Sequence, residues 1–169
     1  MDISMIAKLK GKEEFYSNYS KDDINRLFNG KSLLFYALSN NNIEVRYDIV
    51  NFLLDEGAKA NVINENQETL LHILLSRNNH NLEQTIKLSE RLINSGVDIN
   101  KIDDKGRLAL QCLINMKYTD KELEPLYELW FSQPNICINV KNSWGKTLLD
   151  IARTMPYRKE LVERMQKYE

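Results

Sequence analysis

The chain has 169 residues, of which 43% are hydrophobic and 28% charged, and this supplies enough apolar material for one continuous core. Its formal net charge of −1 gives no electrostatic reason to expect a nucleic acid or an anionic membrane as the main partner. No apolar run approaches the ~20 residues that span a bilayer, and residues 1–4 lack the character of a signal peptide, so we expect a cytoplasmic protein.

A short pattern recurs four times along the chain. It stands at 30–34 (GKSLL), 67–71 (QETLL), 106–110 (GRLAL) and 145–149 (GKTLL). Each copy follows an asparagine that is itself preceded by an apolar residue, and these asparagines are 36, 39 and 39 residues apart: Asn25, Asn61, Asn100 and Asn139. A regular period in this range is typical of a stacked array of repeats, and such arrays commonly bind other molecules.

The pattern divides the chain into five units, the first and last of them degenerate because a terminal unit has one face without a neighbour. In chain order they are an N-terminal cap at 1–28, repeats at 29–63, 64–102 and 103–141, and a C-terminal capping repeat at 142–169. We expect these units to form a single domain.

Each central unit predicts a short helix followed by a longer one. The short helices are expected at 33–39, 70–76, 109–116 and 148–154, with Ser32, Thr69 and Thr147 as N-caps. Apolar residues at helical spacing predict longer helices around 49–54, 86–93 and 126–131, which end near Gly57, Gly96 and Asn135. Pro125 would kink the third of these unless that helix begins near Glu122. A last amphipathic helix is expected at 157–168.

These features resemble the ankyrin repeat, in which a β-turn precedes two antiparallel helices and the core motif is Gly-x-Thr-Pro-Leu-His-x-Ala. The residues that carry the resemblance are 69–72 (TLLH), 145–152 (GKTLLDIA) and the helix ends at 53–58 and 92–100. The period exceeds the family's ~33 residues, and the excess lies between the two helices of a unit. We expect an all-α ankyrin-like repeat solenoid of helix-turn-helix units with β-turn fingers and no sheet beyond isolated bridges.

Candidate chemistry is sparse. Residues 29–32 and 144–147 imitate a phosphate-binding loop, but the earlier glycine that the motif needs is replaced by Asn25 and Val140. The resemblance gives His72 a structural role. The two cysteines, Cys112 and Cys137, are too few for a disulfide framework, and we expect both to be reduced and mostly buried. We expect no catalytic residue, metal, cofactor or small-molecule substrate.

The resemblance implies that a partner binds in a concave groove lined by the turn tips and by the ends of the first helices. The turn-tip candidates are Phe28, Asn29, Lys31, Glu65, Asn66, Glu68, Asp104, Lys105, Arg107, Ser143, Trp144 and Lys146, and the helix-end candidates include Arg77 and Met116. Phe28 and Trp144 are aromatic where the repeat asks only for polar residues, and we expect them and Arg107 to be anchors. Alternatively, Trp144 packs over the turn at 104–106.

The leading interpretation is a monomeric, non-enzymatic module that binds a specific protein partner. The chain is similar in size to small stand-alone bacterial arrays of this family, and such an array fits one dedicated partner, for example a cognate toxin that it neutralises as an antidote. The alternatives are an enzyme that uses Cys112 or Cys137 with His72, and a structural scaffold or regulator.

Overall fold

The computed structural model describes residues 1–169 and contains helices and turns but no β-strand. The all-α repeat fold expected from the sequence is therefore confirmed. Its only strand-like features are isolated antiparallel bridges at the turns, which pair Phe28 with Lys31, Ile63 with Thr69 and Ile102 with Leu108.

The chain forms two compact units, Met1–Val97 and Asp98–Glu169. The helices of the first unit are α1 (Ile3–Leu9), α2 (Lys12–Asn18), α3 (Leu33–Leu38), α4 (Ile43–Asp55), α5 (Leu70–Leu75) and α6 (Leu82–Asn94), with a short 3-10 turn at Lys21–Asp23. Within this unit α3 contacts both α1 and α5, while α4 contacts both α2 and α6. The first helix of each pair therefore lies in one layer and the second helix in another.

The second unit holds α7 (Gln111–Ile114), α8 (Asp120–Phe131), α9 (Leu148–Arg153) and α10 (Lys159–Gln166). Here α10 packs against both α8 and α9. Helix α8 begins at Asp120, two residues before the expected start, because Thr119 and Glu122 form a capping box there. Pro125 therefore lies inside the helix, where it supplies no N–H for an intrahelical bond.

The first helices of the repeats begin where their caps predict. The hydroxyls of Ser32, Thr69 and Thr147 accept amide N–H groups in the first turns of α3, α5 and α9. Helix α7 is the exception, because Leu108 stands where the other units have Ser or Thr and offers no acceptor. As a result α7 has a single turn, Gln111–Ile114, instead of the expected 109–116.

The leucines of the recurring pattern form the core, as their repetition predicts. Leu34 and Leu71 are completely buried, Leu110 is 1% exposed and Leu149 is 5% exposed. Burying a leucine removes its apolar surface from water and contributes about 1.5–3 kcal/mol to folding. The recurring pattern therefore marks the residues that the fold needs most.

A completely buried arginine forms hydrogen bonds to both inter-helix loops of the first unit. Arg46, on α4, donates from Nε and Nη2 to the carbonyl of Asn40 at 3.1 and 3.0 Å, and from Nη1 to the carbonyl of Asn79 at 2.8 Å. No carboxylate forms an ion pair with it; burial, and then the nearby charge of Arg77, lower the pKa of Arg46. The loops at 39–42 and 76–81 are thus held by charge-assisted bonds to the backbone.

A second buried arginine does the same in the second unit. Arg158 precedes α10 and donates to the carbonyls of Ile114, Met116 and Tyr118 at 3.0, 2.6 and 2.9 Å. Those three carbonyls lie at the end of α7 and in the loop that follows it. Arg158 is also 3.6 Å from the carboxylate of Asp120. One side chain therefore orders the loop between α7 and α8.

The core position of Leu71 predicts a large loss of stability on truncation. Leu71→Ala should lower the free energy of unfolding by about 2–5 kcal/mol, because it removes buried methyl groups and leaves a cavity. The measurement is a urea denaturation curve followed by circular dichroism. Leu27→Ala is the matched control, since Leu27 is 60% exposed and should change the midpoint little. An unchanged midpoint for Leu71→Ala would show that the repeats have been aligned wrongly.

The buried guanidinium of Arg46 gives a second prediction. Arg46→Met keeps an unbranched apolar stem but removes the guanidinium and leaves the buried carbonyl of Asn40 without its donors, so we expect a loss of about 2–3 kcal/mol. Lys87→Met is the control, because Lys87 forms only an exposed pair with Glu83 at 2.7 Å, worth less than about 1 kcal/mol. If Arg46→Met and the wild type had the same midpoint of urea denaturation, the free-energy cost of burying the charge would equal the gain from its hydrogen bonds.

Candidate interaction surface

The candidate residues are divided between the two compact units. The first unit carries Phe28, Asn29, Lys31, Glu65, Asn66, Glu68 and Arg77, and the second carries Asp104, Lys105, Arg107, Met116, Ser143, Trp144 and Lys146. In each unit most of them lie on the turns that precede the first helices. The geometry of those turns decides which side chains reach solvent.

Three turns share one design, in which a single Asn or Asp side chain accepts two backbone N–H groups. The Oδ1 atom of Asn64 accepts from Asn66 and Glu68, both at 3.0 Å. In the second unit, Asp103 accepts from Lys105 at 2.9 Å and from Arg107 at 2.8 Å, and Asn142 accepts from Trp144 at 2.9 Å and from Lys146 at 3.1 Å. The sequence interpretation missed these three residues, although an Asn or Asp three positions before Gln67, Gly106 and Gly145 is a recognisable signal.

The two turns of the second unit are bonded to each other. The backbone N–H and the hydroxyl of Ser143 both donate to the carbonyl of Lys105 at 2.9 Å. Gly106 has a φ of +74°, and a Cβ atom on it would lie 3.0 Å from the Cα atom of Asn142, so a larger residue would meet backbone. The turn at 142–146 is therefore fixed on the turn at 103–107.

Trp144 lies at the tip of this fixed turn and is 66% exposed. It occupies the position that Asn66 and Lys105 occupy in the other two turns, the second residue after the capping Asn or Asp. The neighbouring turn at 104–106 does not cover it, in contrast to the alternative in which Trp144 is a packing residue. The contact between the two turns is made by Ser143 instead.

Phe28 and Met116 do not belong to the exposed surface, and the expectation of an exposed Phe28 anchor is wrong. Each is only 7% exposed. Phe28 sits in a two-residue hairpin, in which it exchanges backbone hydrogen bonds with Lys31 at 2.8 and 3.0 Å across Asn29 and Gly30, both at positive φ. This turn is shorter than the other three, and it places Leu27 in solvent instead of Phe28.

Charged residues at the turn tips of the first unit have partners within that unit. Lys31 and Glu65 form an ion pair at 3.3 Å, and a backbone hydrogen bond together with Lys31 lowers the pKa of Glu65. Glu68 accepts from the side-chain amide of Asn64 at 2.8 Å. At the end of α5, Arg77 donates to the side chain of Asn41 at 2.6 Å. This surface is polar and internally paired.

The second unit is different, because only one of its turn-tip cations is paired with a carboxylate. Arg107 Nε donates to Asp103 Oδ2 at 2.7 Å. Lys105, Lys141 and Lys146 are exposed and form no ion pair, although hydrogen bonds from Thr147 and then the charge of Lys146 lower the pKa of Asp150. The two turns and their flanks therefore carry three exposed lysines in addition to Trp144.

The histidines have local partners that account for their positions. His72 is buried, and its Nδ1 atom accepts the backbone N–H of Thr69 at 3.1 Å in a capping box. His80 donates from Nε2 to the carbonyl of Arg77 at 2.8 Å, and burial lowers the pKa of its ring. Both arrangements support structural roles.

The cysteines are less buried than expected: Cys112 is half-buried and Cys137 is exposed, so the expectation of two mostly buried thiols is wrong. Cys137 lies in the extended segment after α8, where its backbone N–H donates to the side chain of Asn100 at 2.8 Å. The structure brings together no group of three or more His, Cys, Asp or Glu side chains suited to a metal ion. None of its helices has the length and apolar character needed to cross a bilayer.

Comparison with known proteins points to one repeat family. The family model of the ankyrin repeat matches residues 29–65. The interferon antagonist OPG039 of monkeypox virus is 36% identical over 110 residues, which cover 65% of this chain and 34% of the relative. A Rickettsia felis protein described as an ankyrin repeat protein is 36% identical over 87 residues, covering 51% of this chain and 37% of the relative. The chain thus spans about a third of the length of these two relatives.

A solved structure shares the fold over nearly the whole chain. The crystal structure of a functionally unknown protein from Leptotrichia buccalis matches it with a TM-score of 0.80 and 26% sequence identity. The match covers 99% of this chain and 94% of that one. The same succession of helices and turns therefore occurs in a second protein with a substantially different sequence.

The turn held by Asp103 predicts a dependence of stability on pH. Burial alone would raise the pKa of Asp103. The amide N–H groups of Arg107 and Lys105 and the guanidinium of Arg107 outweigh this effect, so the pKa of Asp103 lies below its ordinary value of 3.8. A carboxyl whose pKa is lowered by folding stabilises the protein above its unfolded pKa, and this contribution is lost as the pH falls through the folded value.

Asp103→Asn should keep the turn, as Asn64 and Asn142 do, but lose the ion pair with Arg107. We expect a loss of about 1 kcal/mol at neutral pH, and an unfolding free energy that converges with the wild type below about pH 4. Asp103→Ala removes both backbone hydrogen bonds and should cost more at every pH. Urea denaturation at a series of pH values tests both variants. A constant difference between Asp103→Asn and wild type down to the lowest pH would contradict the assignment.

Proposed function

Because this chain is an ankyrin-repeat protein, we propose that it binds one specific protein partner through its turn tips and does not act as an enzyme. Ankyrin repeats indicate a protein–protein interaction module, and the family is generally non-enzymatic. We propose that the chain acts as a monomer in the cytoplasm and needs no cofactor, small-molecule substrate or nucleic acid. The structural roles of His72 and His80 support the non-enzymatic assignment.

The observation that carries the proposal is the exposed Trp144 on a fixed turn. Tryptophan is among the residues most enriched in binding hot spots, because a large apolar side chain gains much when a partner covers it. The hydrogen bonds of Asn142 and Ser143 already hold the turn, so little conformational entropy is lost when a partner binds. Trp144 is therefore the proposed anchor of the second unit.

The polar turn tips are proposed to act as the rim of the interface. Asn29, Lys31, Glu65, Asn66 and Glu68 present hydrogen-bonding groups in the first unit, and Asp104, Lys105, Arg107, Ser143 and Lys146 do so in the second. Such groups mainly set the association rate and the choice of partner. Arg77 extends the proposed surface of the first unit to the end of α5. Phe28 and Met116 are left out because both are buried.

We further propose that binding blocks the activity of the partner, as an antidote blocks a cognate toxin. One relative, OPG039 of monkeypox virus, is named an interferon antagonist, which makes opposition to another protein a plausible use of this repeat. The test is to measure the activity of the purified partner with and without an equal amount of this chain. Unchanged activity in the stable complex would favour a scaffold instead.

Affinity capture with two matched baits tests the proposed anchor. Trp144→Ala removes an exposed side chain from the proposed surface, and Leu9→Ala removes one from α1, outside that surface. Trp144 is 66% exposed and Leu9 is 55% exposed, so neither change should affect folding much. The partner should be captured by the wild type and by Leu9→Ala but not by Trp144→Ala. With the purified partner, isothermal titration should show binding by Trp144→Ala weakened by at least ~2 kcal/mol, or roughly 30-fold.

A thermal melt of each bait is the control for folding. If Trp144→Ala bound as tightly as the wild type and melted at the same temperature, the interface would not use this turn. The inter-helix loops around 40–42 and 78–81, held by Arg46, would then be the next surface to test.

A further inference from the structure

The turn tips of the second unit present exposed lysines beside exposed apolar groups. Lys105 lies on one turn, and Lys141 and Lys146 flank the other; all three are exposed and none forms an ion pair. Exposed apolar groups lie on the same two turns, since Trp144 is 66% exposed and Ile102 is 37% exposed. The hydrogen bonds from Ser143 to Lys105 keep these groups in a fixed arrangement.

The first unit shows that this arrangement is not required by the repeat. Its tip cation Lys31 pairs with Glu65 at 3.3 Å, and the position equivalent to Trp144 is Asn66. Both units use the same capped turn, so the fold alone accounts for neither the lysines nor the tryptophan. Exposed lysines on the same turns as an exposed aromatic ring are complementary to a segment that carries carboxylates and an apolar side chain.

We propose that the partner presents an acidic protein segment to the second unit, with carboxylates that pair with Lys105, Lys141 and Lys146 and an apolar side chain that covers Trp144. This inference rests on the proposed function for its location and adds the chemistry of the partner. A single-stranded nucleic acid would also offer negative charge and rings that stack on a tryptophan. The formal net charge of −1 argues against it, because a backbone with a negative charge on every nucleotide needs a strongly basic surface.

The test is selection from a display library of random linear peptides, panned in parallel on the wild type and three variants. The variants are Trp144→Ala, Leu9→Ala, and a triple variant with Lys105→Gln, Lys141→Gln and Lys146→Gln. Sequencing of the selected pools should show that the wild type and Leu9→Ala, which changes a 55% exposed side chain on α1, enrich peptides rich in Asp and Glu that contain an apolar residue. The other two variants should not enrich them. All substituted side chains are exposed, and a thermal melt checks that each variant is folded.

Titration calorimetry of an enriched peptide then measures the effect of charge. The triple variant should bind about tenfold more weakly, because it loses three exposed ion pairs that are each weak, and raised salt should weaken wild-type binding similarly. Enrichment of neutral or basic peptides, no enrichment, or binding that survives in both Trp144→Ala and the triple variant would overturn the proposal. So would a single-stranded oligonucleotide that binds with the same dependence on Trp144.

These outcomes separate the two proposals. If the selected peptides are not acidic while capture of a native partner still requires Trp144, the function stands and the chemistry proposed for the partner is wrong. If capture does not depend on Trp144, the proposed binding surface itself is wrong. A charge-matched control is Lys87→Gln, which removes an exposed lysine from α6 and should change neither result.

Discussion

The side-chain oxygen that begins three of the four turns is the interaction on which their local structure depends. Asn64, Asp103 and Asn142 each accept two amide N–H groups and so determine the path of the chain into the following helix. Without this acceptor, a turn of this longer type would leave both amides to solvent and would lose a defined tip. In the second unit this local bond has a wider effect, because Ser143 then reaches the carbonyl of Lys105 and joins two turns.

Longer-range order comes from two arginines whose hydrogen bonds go mainly to backbone carbonyl oxygens. Ordering the loops between the helices costs conformational entropy. Arg46 and Arg158 offset this cost by donating several hydrogen bonds each from one rigid, planar group. Because a guanidinium stays charged at any ordinary pH, these bonds are insensitive to titration.

The repeats, the helix pairs and the buried leucines were predictable because each depends on residues close together in sequence. The short α7 was not foreseen, since the consequence of Leu108 at a capping position was overlooked, and Phe28 was misplaced because its turn is a shorter hairpin. Arg46 could not have been predicted, since its partner Asn79 lies 33 residues away and only the folded chain brings them together. The sequence identified Trp144 but could not decide whether it was exposed.

At the turn tips the backbone is fixed while the side chain is free in solvent, and this affects how the protein can evolve. At the position of Trp144 the backbone is held by Asn142 while the side chain itself lies in water, so the fold makes almost no demand on which residue stands there. Asn66 and Lys105 show two other solutions at equivalent positions. A single substitution can therefore exchange the recognising side chain without refolding the turn, and new binding specificities can arise while the scaffold is preserved.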